Sequence, residues 1–518
     1  MRTTGKLIAL FFALLFAFAD AKGQNYFETK YVAGCNSPSA LCEAADGGFA
    51  ICGMADFSNY GIIIKLDSAG NGLWEKSYHS GTDGELFDDI VCTPDKGFAA
   101  CGSASGGVNG LSKVIVVKTD SNGNVMWSRL LGDSLEQVNG MSIKTTIDNK
   151  LIVSGFYQGG GGPALSLDLL DMSGNLLWSK KYGQISQAWY IGEVITCSDK
   201  GFLITQGIRD TVNSNSSEIY VVKTDSTGNI DWTRTFKSSP TGQNGDFGQA
   251  VREVANQHYR IAASSSDNLL MLELDRYGNI YWKRYYGFGG GTQWTMTIDN
   301  TSNNGSIVTF FNDKNPAGPV LIKVDSLGSI QWAKTYGNPD DRFVDVVTLK
   351  GDKGWAAVGS LRFFANNTST YYMYFVKTDT VGRVGCDIDI LYIENPITIY
   401  VDSLTTSSTG HPVTSVQRQS SSINFTPHTL CGMGYNDPEQ TPLPLSISPN
   451  PSTGHFSISS PEKIASVEIF DVLGNSIAKW KVDTENFDAD ISNRTKGIYF
   501  VKVTGMNGHL YTQKLIVH

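Results

Sequence analysis

Residues 118–127 read KTDSNGNVMW, and this stretch decides the fold because it recurs along most of the chain. Its pattern is the end of an apolar strand, then Asp-x-x-Gly, then a Trp four residues after the Gly. A fixed period near fifty residues indicates a repeat architecture. Six copies end in Trp and the seventh in Cys386: Trp74, Trp127, Trp178, Trp232, Trp282 and Trp332. Their aspartates lie 50 to 54 residues apart: Asp67, Asp120, Asp171, Asp225, Asp275, Asp325 and Asp379.

A second element precedes each copy and consists of a turn followed by an apolar strand. The example in the second unit is DKGFAACG from Asp95, and DGGFAICG from Asp46 opens the first. We expect the Asp to bond the backbone and the Gly to supply the positive φ of a tight hairpin. Each unit then predicts four antiparallel strands, the content of a propeller blade. In the second unit these are residues 88–92, 98–102, 114–119 and 125–131.

The ends of the repeat region predict how the ring closes. The seventh unit lacks a clear fourth strand, and the N-terminal stretch 26–31 aligns with residues 73–78, so that Phe27 stands where Trp74 does. The sequence therefore predicts an all-β fold: a seven-bladed β-propeller over residues 22–385, closed by an N-terminal strand. The alternative is an open array of seven units, which leaves an apolar strand edge unpaired. In either case we interpret each Trp as a buried filler between twisted blades.

Composition and targeting limit the classes of function. The net charge is −9, with 41 Lys and Arg against 50 Asp and Glu, and no basic run is present, which argues against nucleic acid. Arg2 and Lys6 precede the apolar run Leu7–Phe18, and small residues follow at 19–21. This pattern predicts a secretory signal peptide over residues 1–21. No later run is long enough to predict a transmembrane segment.

The chain has eight cysteines, and export permits disulfides. Cys386 and Cys431 flank one segment and are the first-choice pair. Two further pairs straddle hairpin turns: Cys42 with Cys52, and Cys92 with Cys101. We interpret these four as small buried apolar residues, because cross-strand pairs seldom meet disulfide geometry. Two more cysteines have no obvious partner: Cys35 and Cys197.

The repeat resembles the tryptophan-docking repeat of pyrroloquinoline-quinone dehydrogenase propellers, and a similar repeat is present in non-catalytic scaffold propellers. The resemblance covers roughly residues 26–385 and implies a propeller fold. Those dehydrogenases typically have eight blades, a calcium site and often an adjacent pair of cysteines. This sequence has seven copies and no two adjacent cysteines.

The C-terminal stretch 445–518 opens with LSISPNP and continues with VEIFD from Val467, then GIYFVKV from Gly497. It resembles the type A C-terminal sorting domain of the type IX secretion system of Bacteroidota. Alternating apolar residues between Asn and Gly turns independently predict a small β-sandwich. The resemblance implies the secretion machinery as a partner and a location outside the cell or on its outer surface. Residues 386–444 form a Ser/Thr-rich connection, in which 388–400 either adds strands to the propeller or forms a small β module.

No motif assigns a catalytic, cofactor-binding or metal-ligating residue. The start of a calcium loop at Asp120 lacks a closing Glu and is better interpreted as an Asx turn. Our first hypothesis is an exported binding or adhesion scaffold with an extracellular ligand, either polysaccharide or protein. The alternatives are a secreted carbohydrate-active hydrolase or lyase with its site in the funnel, and then a quinoprotein oxidoreductase. Aromatic residues that either stack on sugars or belong to the core are Tyr157, Trp189, Tyr190, Trp294 and Phe363.

Overall fold

The structure is a computed structural model of the chain. It describes residues 26–432 and 446–518, apart from short gaps at 33–34, 56–59, 80–83, 106–109, 133–136, 159–163, 184–187, 210–216, 239–245, 266–267, 289–292, 313–316, 352, 366–367, 385–387, 390–392, 396–399, 403–406, 410–412, 416–418, 423–425, 472–475 and 507–509. The signal-peptide prediction and Cys386 lie outside the described residues. The residues up to 432 and those from 446 onward belong to two separate compact units.

The described residues of the first unit form seven antiparallel sheets that follow the repeat. The chain enters through β1 (Phe27–Val32). The strands of blades 1 to 3 are β2 (Cys35–Glu43), β3 (Phe49–Ala55), β4 (Gly61–Leu66), β5 (Gly72–His79); β6 (Glu85–Cys92), β7 (Phe98–Ala104), β8 (Lys113–Thr119), β9 (Val125–Leu131); β10 (Gln137–Thr145), β11 (Leu151–Gln158), β12 (Ala164–Leu170) and β13 (Leu176–Tyr182).

The remaining blades repeat the same order. The strands of blades 4 to 7 are β14 (Ala188–Thr196), β15 (Phe202–Arg209), β16 (Ser217–Thr224), β17 (Ile230–Lys237); β18 (Asp246–Val254), β19 (His258–Ser265), β20 (Asn268–Leu274), β21 (Ile280–Gly287); β22 (Gln293–Asn300), β23 (Ser306–Asn312), β24 (Gly318–Val324), β25 (Ile330–Thr335); β26 (Arg342–Thr348), β27 (Trp355–Ala365) and β28 (Thr368–Thr378). The four strands predicted for the second unit are confirmed as β6 to β9. Apolar residues of neighbouring blades share core clusters, so the core lies between blades.

The N-terminal strand completes blade 7, as the sequence predicts. Strand β1 pairs antiparallel with β28, where Phe27 lies opposite Lys377. Phe27 takes the place of the missing Trp, because its ring would contact any Cβ added at Gly70 of blade 1. The first and last parts of the propeller therefore share one sheet, which closes the ring.

The segment after blade 7 returns around the ring and adds an outer strand to every blade. We call residues 388–432 the return segment. Its strands are β29 (Ile388–Asp389), β30 (Ile393–Asn395), β31 (Tyr400–Asp402), β32 (Ser407–Thr409), β33 (Val413–Ser415), β34 (Gln419–Ser422) and β35 (Thr426–Gly432). They pair in turn with β25, β21, β17, β13, β9, β5 and finally β1. Each pairing covers a strand edge that otherwise exposes unpaired backbone groups.

Each repeat Trp packs on the glycine of the next blade's Asp-x-x-Gly turn. A Cβ at Gly123 would lie 2.7 Å from the ring of Trp74, and Gly123 has φ of +74°. Tyr78, four residues after that Trp, donates its hydroxyl to the Gly123 carbonyl at 2.8 Å. The contact between blades is as predicted, but the burial differs: Trp282 is 9% exposed and the other repeat Trp side chains are half-buried. The ring lies against a turn near the surface and therefore keeps one edge in solvent.

The Asp of each Asp-x-x-Gly turn organises an Asx turn. In the second blade, Asp120 Oδ1 accepts the backbone N–H groups of Asn122 and Asn124 at 2.9 and 2.8 Å. Its Oδ2 accepts the Asn124 side-chain amide at 2.9 Å. These hydrogen bonds lower the pKa of Asp120 despite the opposing effect of desolvation. The interpretation as a turn is confirmed.

The other hairpin differs from its prediction in one respect. In blade 1 the positive φ belongs to Gly47, as predicted, but in blades 2 and 4 it belongs to Lys96 and Lys200, the residues before the glycines. Those glycines are needed because a Cβ would collide with a backbone carbonyl of the neighbouring strand, that of Thr119 in blade 2. Close approach of two strands, rather than an unusual φ, therefore requires glycine there.

The cysteine predictions need one correction. Cys42 and Cys92 form a disulfide with a Cα–Cα distance of 6.0 Å, which links β2 of blade 1 to β6 of blade 2. Cys52 and Cys101 are free and buried, as predicted. Cys42 and Cys92 pair between two blades and not within one hairpin, because the innermost strands of adjacent blades lie side by side. The proposed Cys386–Cys431 pair involves a residue outside the described ones.

The C-terminal unit is a five-stranded antiparallel sheet. Its strands are β36 (Ser446–Ser448), β37 (His455–Phe470), β38 (Ser476–Asp490), β39 (Gly497–Gly505) and β40 (Leu510–Val517). The register of β37 shifts between Ser459 and Ile464; the part before the shift pairs with β36 and the part after it with β39. Both parts contribute to one core, with Phe456 and Ile469 among its buried residues. This agrees with the predicted small β domain.

A buried carboxyl group lies where the ring closes. Glu75 is 1% exposed and pairs with Ile64, which packs in the cluster between blades 7 and 1. Neither carboxylate oxygen has a hydrogen-bond partner within the described part of the chain. Burial raises the pKa of Glu75 from 4.5 to about 7. The folded state therefore binds this proton more tightly than the unfolded state, and the resulting stability is lost as the pH rises from 4.5 through 7.

We expect Glu75→Gln to stabilise the propeller at pH 8 and to change little at pH 5. Removal of the buried charge is expected to add up to about 3 kcal/mol at pH 8, from the size of the pKa shift. Denaturant unfolding at both pH values measures it, with Asp340→Asn, at an exposed position, as the control. An equal effect of Glu75→Gln at both pH values would contradict the prediction.

Candidate functional site in the central channel

The innermost strands of all seven blades line a central channel. These strands are β2, β6, β10, β14, β18, β22 and β26, and the cavity between them has a volume of about 530 Å³. That size lies within the range of about 300–1,000 Å³ for small-molecule sites. Its wall combines backbone with ionisable side chains from five blades.

Register shifts interrupt the pairing of every innermost strand with the second strand of its blade. In β6 the register shifts between Phe87 and Asp89, and in β26 between Phe343 and Asp345. Four bulge residues with described side chains line the channel: Ser39, Asp88, Met141 and Val344. Bulges commonly direct side chains toward sites in this way. Asp88 is the ionisable member of these four.

Charged side chains of alternating sign connect successive blades around the channel. Lys144 of blade 3 contacts Asp89 of blade 2 at 2.6 Å and Glu193 of blade 4 at 3.5 Å. Arg252 of blade 5 contacts Glu193 at 2.5 Å and Asp299 of blade 6 at 3.2 Å. We call these five residues the channel ring. Opposite charges on both sides raise the pKa values of Lys144 and Arg252 against the effect of burial.

The carboxylates of the channel also accept hydrogen bonds from the backbone of the next blade. Asp89 accepts the N–H of Ile143 at 2.9 Å, and Glu193 accepts that of Val251 at 3.0 Å. The same bond forms from Thr348 to Asp299 at 2.7 Å and from Leu41 to Asp345 at 2.9 Å. The ring carboxylates therefore fasten blade to blade, which is a structural role.

Within the described part of the chain, no Lys or Arg forms an ion pair with the two carboxyl groups of the channel next to blade 1, Asp88 and Asp345. Burial raises the pKa of Asp345 to about 7. Burial and the neighbouring Asp89 carboxylate raise the pKa of Asp88 well above that of an ordinary aspartate. Blade 1 contributes only uncharged side chains to the described channel wall, including Ser39 and Leu41. The channel thus has an ion-paired side and a side where the pKa values of the carboxyl groups are raised.

A second cavity of about 460 Å³ adjoins the channel through Asp88 and Met141. We call it the blade 2–3 cleft. It is lined by Met54, Gly84, Glu85, Leu86, Asp88, Ser103, Ser105, Ser112, Gln137, Asn139, Gly140 and Met141. Ser105 is exposed, so the cleft reaches the surface. Its described lining includes no Lys, Arg or His.

Of the aromatic residues proposed for stacking on sugars, one has a described side chain. Tyr157 is 5% exposed in the core between blades 2 and 3, and Lys181 Nζ lies 3.5 Å from the ring centroid. It is a core residue and is not available to a ligand. The other four have side chains outside the described set: Trp189, Tyr190, Trp294 and Phe363. No cluster of metal-ligating side chains was found among the residues that the structure describes.

Comparison with protein families identifies the C-terminal unit. Residues 446–518 match the model of the secretion system C-terminal sorting domain. These residues are a sorting domain. The resemblance noted for residues 445–518 is confirmed, and the domain directs the chain to the cell surface or the extracellular space. Within the described residues no helix is long and apolar enough to cross a membrane.

Several solved structures are similar to this chain. PorZ of Porphyromonas gingivalis, described as an essential bacterial surface component of the type-IX secretion system, is 10% identical with a TM-score of 0.39 over 92% of this chain, which spans 58% of the length of PorZ. Polysaccharide lyase Uly1 is 10% identical with a TM-score of 0.41, over 70% of this chain and 94% of that one. A europium-containing methanol dehydrogenase is 12% identical with a TM-score of 0.39, over 65% and 81%. A search of curated proteins found no match.

Proposed function

We propose that the protein is an exported binding or adhesion scaffold, whose propeller recognises an extracellular polysaccharide and whose sorting domain delivers it outside the cell. The observation that carries this proposal is the use of the channel charges. Lys144 and Arg252 each bond two carboxylates, and those carboxylates bond the backbone of the next blade. Charges engaged in this way hold the ring rigid, and a rigid ring presents its loops and clefts in fixed positions.

The division of the chain is part of the proposal. We assign residues 1–21 to a signal peptide, 22–385 to the propeller, 386–444 to the connection and 445–518 to the sorting domain. Pairing of the return segment with all seven blades supports a connection that is bound to the propeller over much of its length. The sorting domain implies contact with the secretion machinery during export.

A second candidate is a secreted carbohydrate-active hydrolase or lyase with its site in the funnel. The observation in its favour is Asp88, a carboxyl group at the junction of both cavities with a raised pKa. A carboxyl group with a raised pKa is suited to general acid catalysis. A glycosidase would need a second carboxyl group at a defined separation from it.

One experiment separates the two candidates. The purified full-length protein is incubated with soluble and insoluble polysaccharides, and both retention and release of new reducing ends are scored. Binding predicts retention without release. Release of reducing ends that is lost in Asp88→Asn would overturn the scaffold proposal in favour of the enzyme. If neither retention nor release is observed, the proposal of a polysaccharide ligand is wrong.

A further inference from the structure

The blade 2–3 cleft has the chemistry of a site for a small uncharged polar group. Four of its side chains have no hydrogen-bond partner among the described residues: Ser103, Ser112, Gln137 and Asn139. Gln137 and Asn139 are half-buried at the start of β10, where they alternate with buried Val138 and so share one side of the strand. Each amide offers two donors and two acceptors, and each serine hydroxyl offers both functions.

The apolar part of the lining adds a second property. Met54 of blade 1, Leu86 of blade 2 and Met141 of blade 3 border the same cavity. A pyranose ring has hydroxyl groups that donate and accept, and C–H faces that are apolar. The amides and hydroxyls of the wall match the hydroxyl groups of the sugar, and the three apolar side chains match its C–H faces. Methionine in particular adapts its shape to the surface that it contacts.

The charge of the cleft lining disfavours an anionic ligand. The described lining contains two acidic residues, Glu85 and Asp88, and no basic one. A uronate, sulfate or phosphate group would enter without a counter-charge and lose its hydration. Arg252 and Lys144, the cations of the neighbouring channel, are already bonded to carboxylates on both sides.

We propose that the blade 2–3 cleft binds an uncharged saccharide unit, with Gln137 and Asn139 exchanging hydrogen bonds with its hydroxyl groups. This rests on the proposed function, because it names the place and the class of sugar that the scaffold recognises. Ser103 and Ser112 extend the polar wall, and Met141 contacts the apolar face of the ring. The volume of about 460 Å³ suits a short stretch of a glycan rather than a folded protein surface.

The test uses affinity electrophoresis of the full-length protein in native gels. The gels contain neutral polysaccharides (laminarin, xylan, mannan or dextran), polygalacturonate or heparin. We expect retardation by at least one neutral polysaccharide and none by the two anionic ones. Gln137→Ala and Asn139→Ala are each expected to weaken the interaction about tenfold through lost hydrogen bonds. Gln331→Ala, the same change at an exposed position on blade 6, is the matched control and is expected to bind as the wild type does.

The outcomes distinguish a failure of this cleft site from a failure of the proposed binding function on which it rests. If a neutral polysaccharide retards the wild type and both cleft variants equally, the cleft is not the site although the scaffold binds glycans. Retardation by polygalacturonate or heparin alone overturns the uncharged ligand and leaves the binding function in place. If no polysaccharide retards the wild type, both fail. The near-isosteric Asn139→Asp repeats the test should an alanine variant not fold, and it is expected to lose binding as well.

Discussion

Replacing Arg252 with methionine is expected to lower the free energy of unfolding by about 3 kcal/mol, the lower end of the range for removing one partner of a buried ion pair, because its side chain is still 19% exposed. The guanidinium contacts Glu193 at 2.5 Å and Asp299 at 3.2 Å. Its Nη1 also donates to the Val251 carbonyl at 2.7 Å. Methionine fills a similar volume but leaves two carboxylates without their shared cation. Denaturant unfolding of the purified protein measures the loss.

The control is the same substitution at Arg129, which bonds the carbonyls of Ser128, Ser173 and Gly174 and, among the described residues, no carboxylate. We expect Arg129→Met to cost about 1 kcal/mol, the value of ordinary hydrogen bonds. Adding Glu193→Gln to Arg252→Met is expected to restore part of the loss, because one unpaired charge disappears. Equal losses for the two arginine variants would show that the channel ring contributes no more than surface hydrogen bonds.

The repeat made most of the fold predictable because its signature residues act locally. Asp120 bonds backbone groups two and four residues ahead, and Gly123 adopts a positive φ. Such local constraints can be inferred from a single copy of the repeat, and their recurrence in the other copies supports the inference. The N-terminal strand was predictable for the same reason, since Phe27 and Tyr31 reproduce the spacing of Trp74 and Tyr78.

The return segment could not be predicted to cover every blade. Its strands are two to seven residues long, and Ser407–Thr409 has no apolar alternation. These strands pair through backbone hydrogen bonds, which any residue except proline provides. Pairing therefore depends on which blades have an unpaired outer strand edge, and the sequence does not show this.

The channel ring was also missed, although a signal exists. Lys144, Arg252 and Asp299 each lie four residues before the Asp or Asn that opens the following hairpin turn. A charged residue at that position, within strands that are otherwise apolar, marks the side that faces the channel. The sequence cannot say which charge meets which, because the partners come from different blades and meet only when the ring closes. The unpartnered amides of the cleft carry no sequence signal at all.

The disulfide leads to the second large prediction. It joins two innermost strands across 50 residues of sequence, one repeat period, and so encloses most of blade 1 and the start of blade 2. In the chain-entropy account, closing a loop of that length stabilises the folded state by about 4 kcal/mol. We expect Cys42→Ala combined with Cys92→Ala to lose about that amount in denaturant unfolding. Peptide mapping without reduction is expected to recover the Cys42–Cys92 cross-link from the wild type.

The matched control removes two sulfur atoms that form no cross-link. Cys52 and Cys101 are fully buried in the same two blades and are free. Cys52→Ala combined with Cys101→Ala is expected to lose about 2 kcal/mol, the cost of two small cavities. Reductant should therefore destabilise the wild type and this control by the same amount, and destabilise the Cys42/Cys92 variant by about 4 kcal/mol less. If reductant weakens all three proteins equally, the link between blades 1 and 2 does not stabilise the ring, and closure depends on β1 and the channel charges instead.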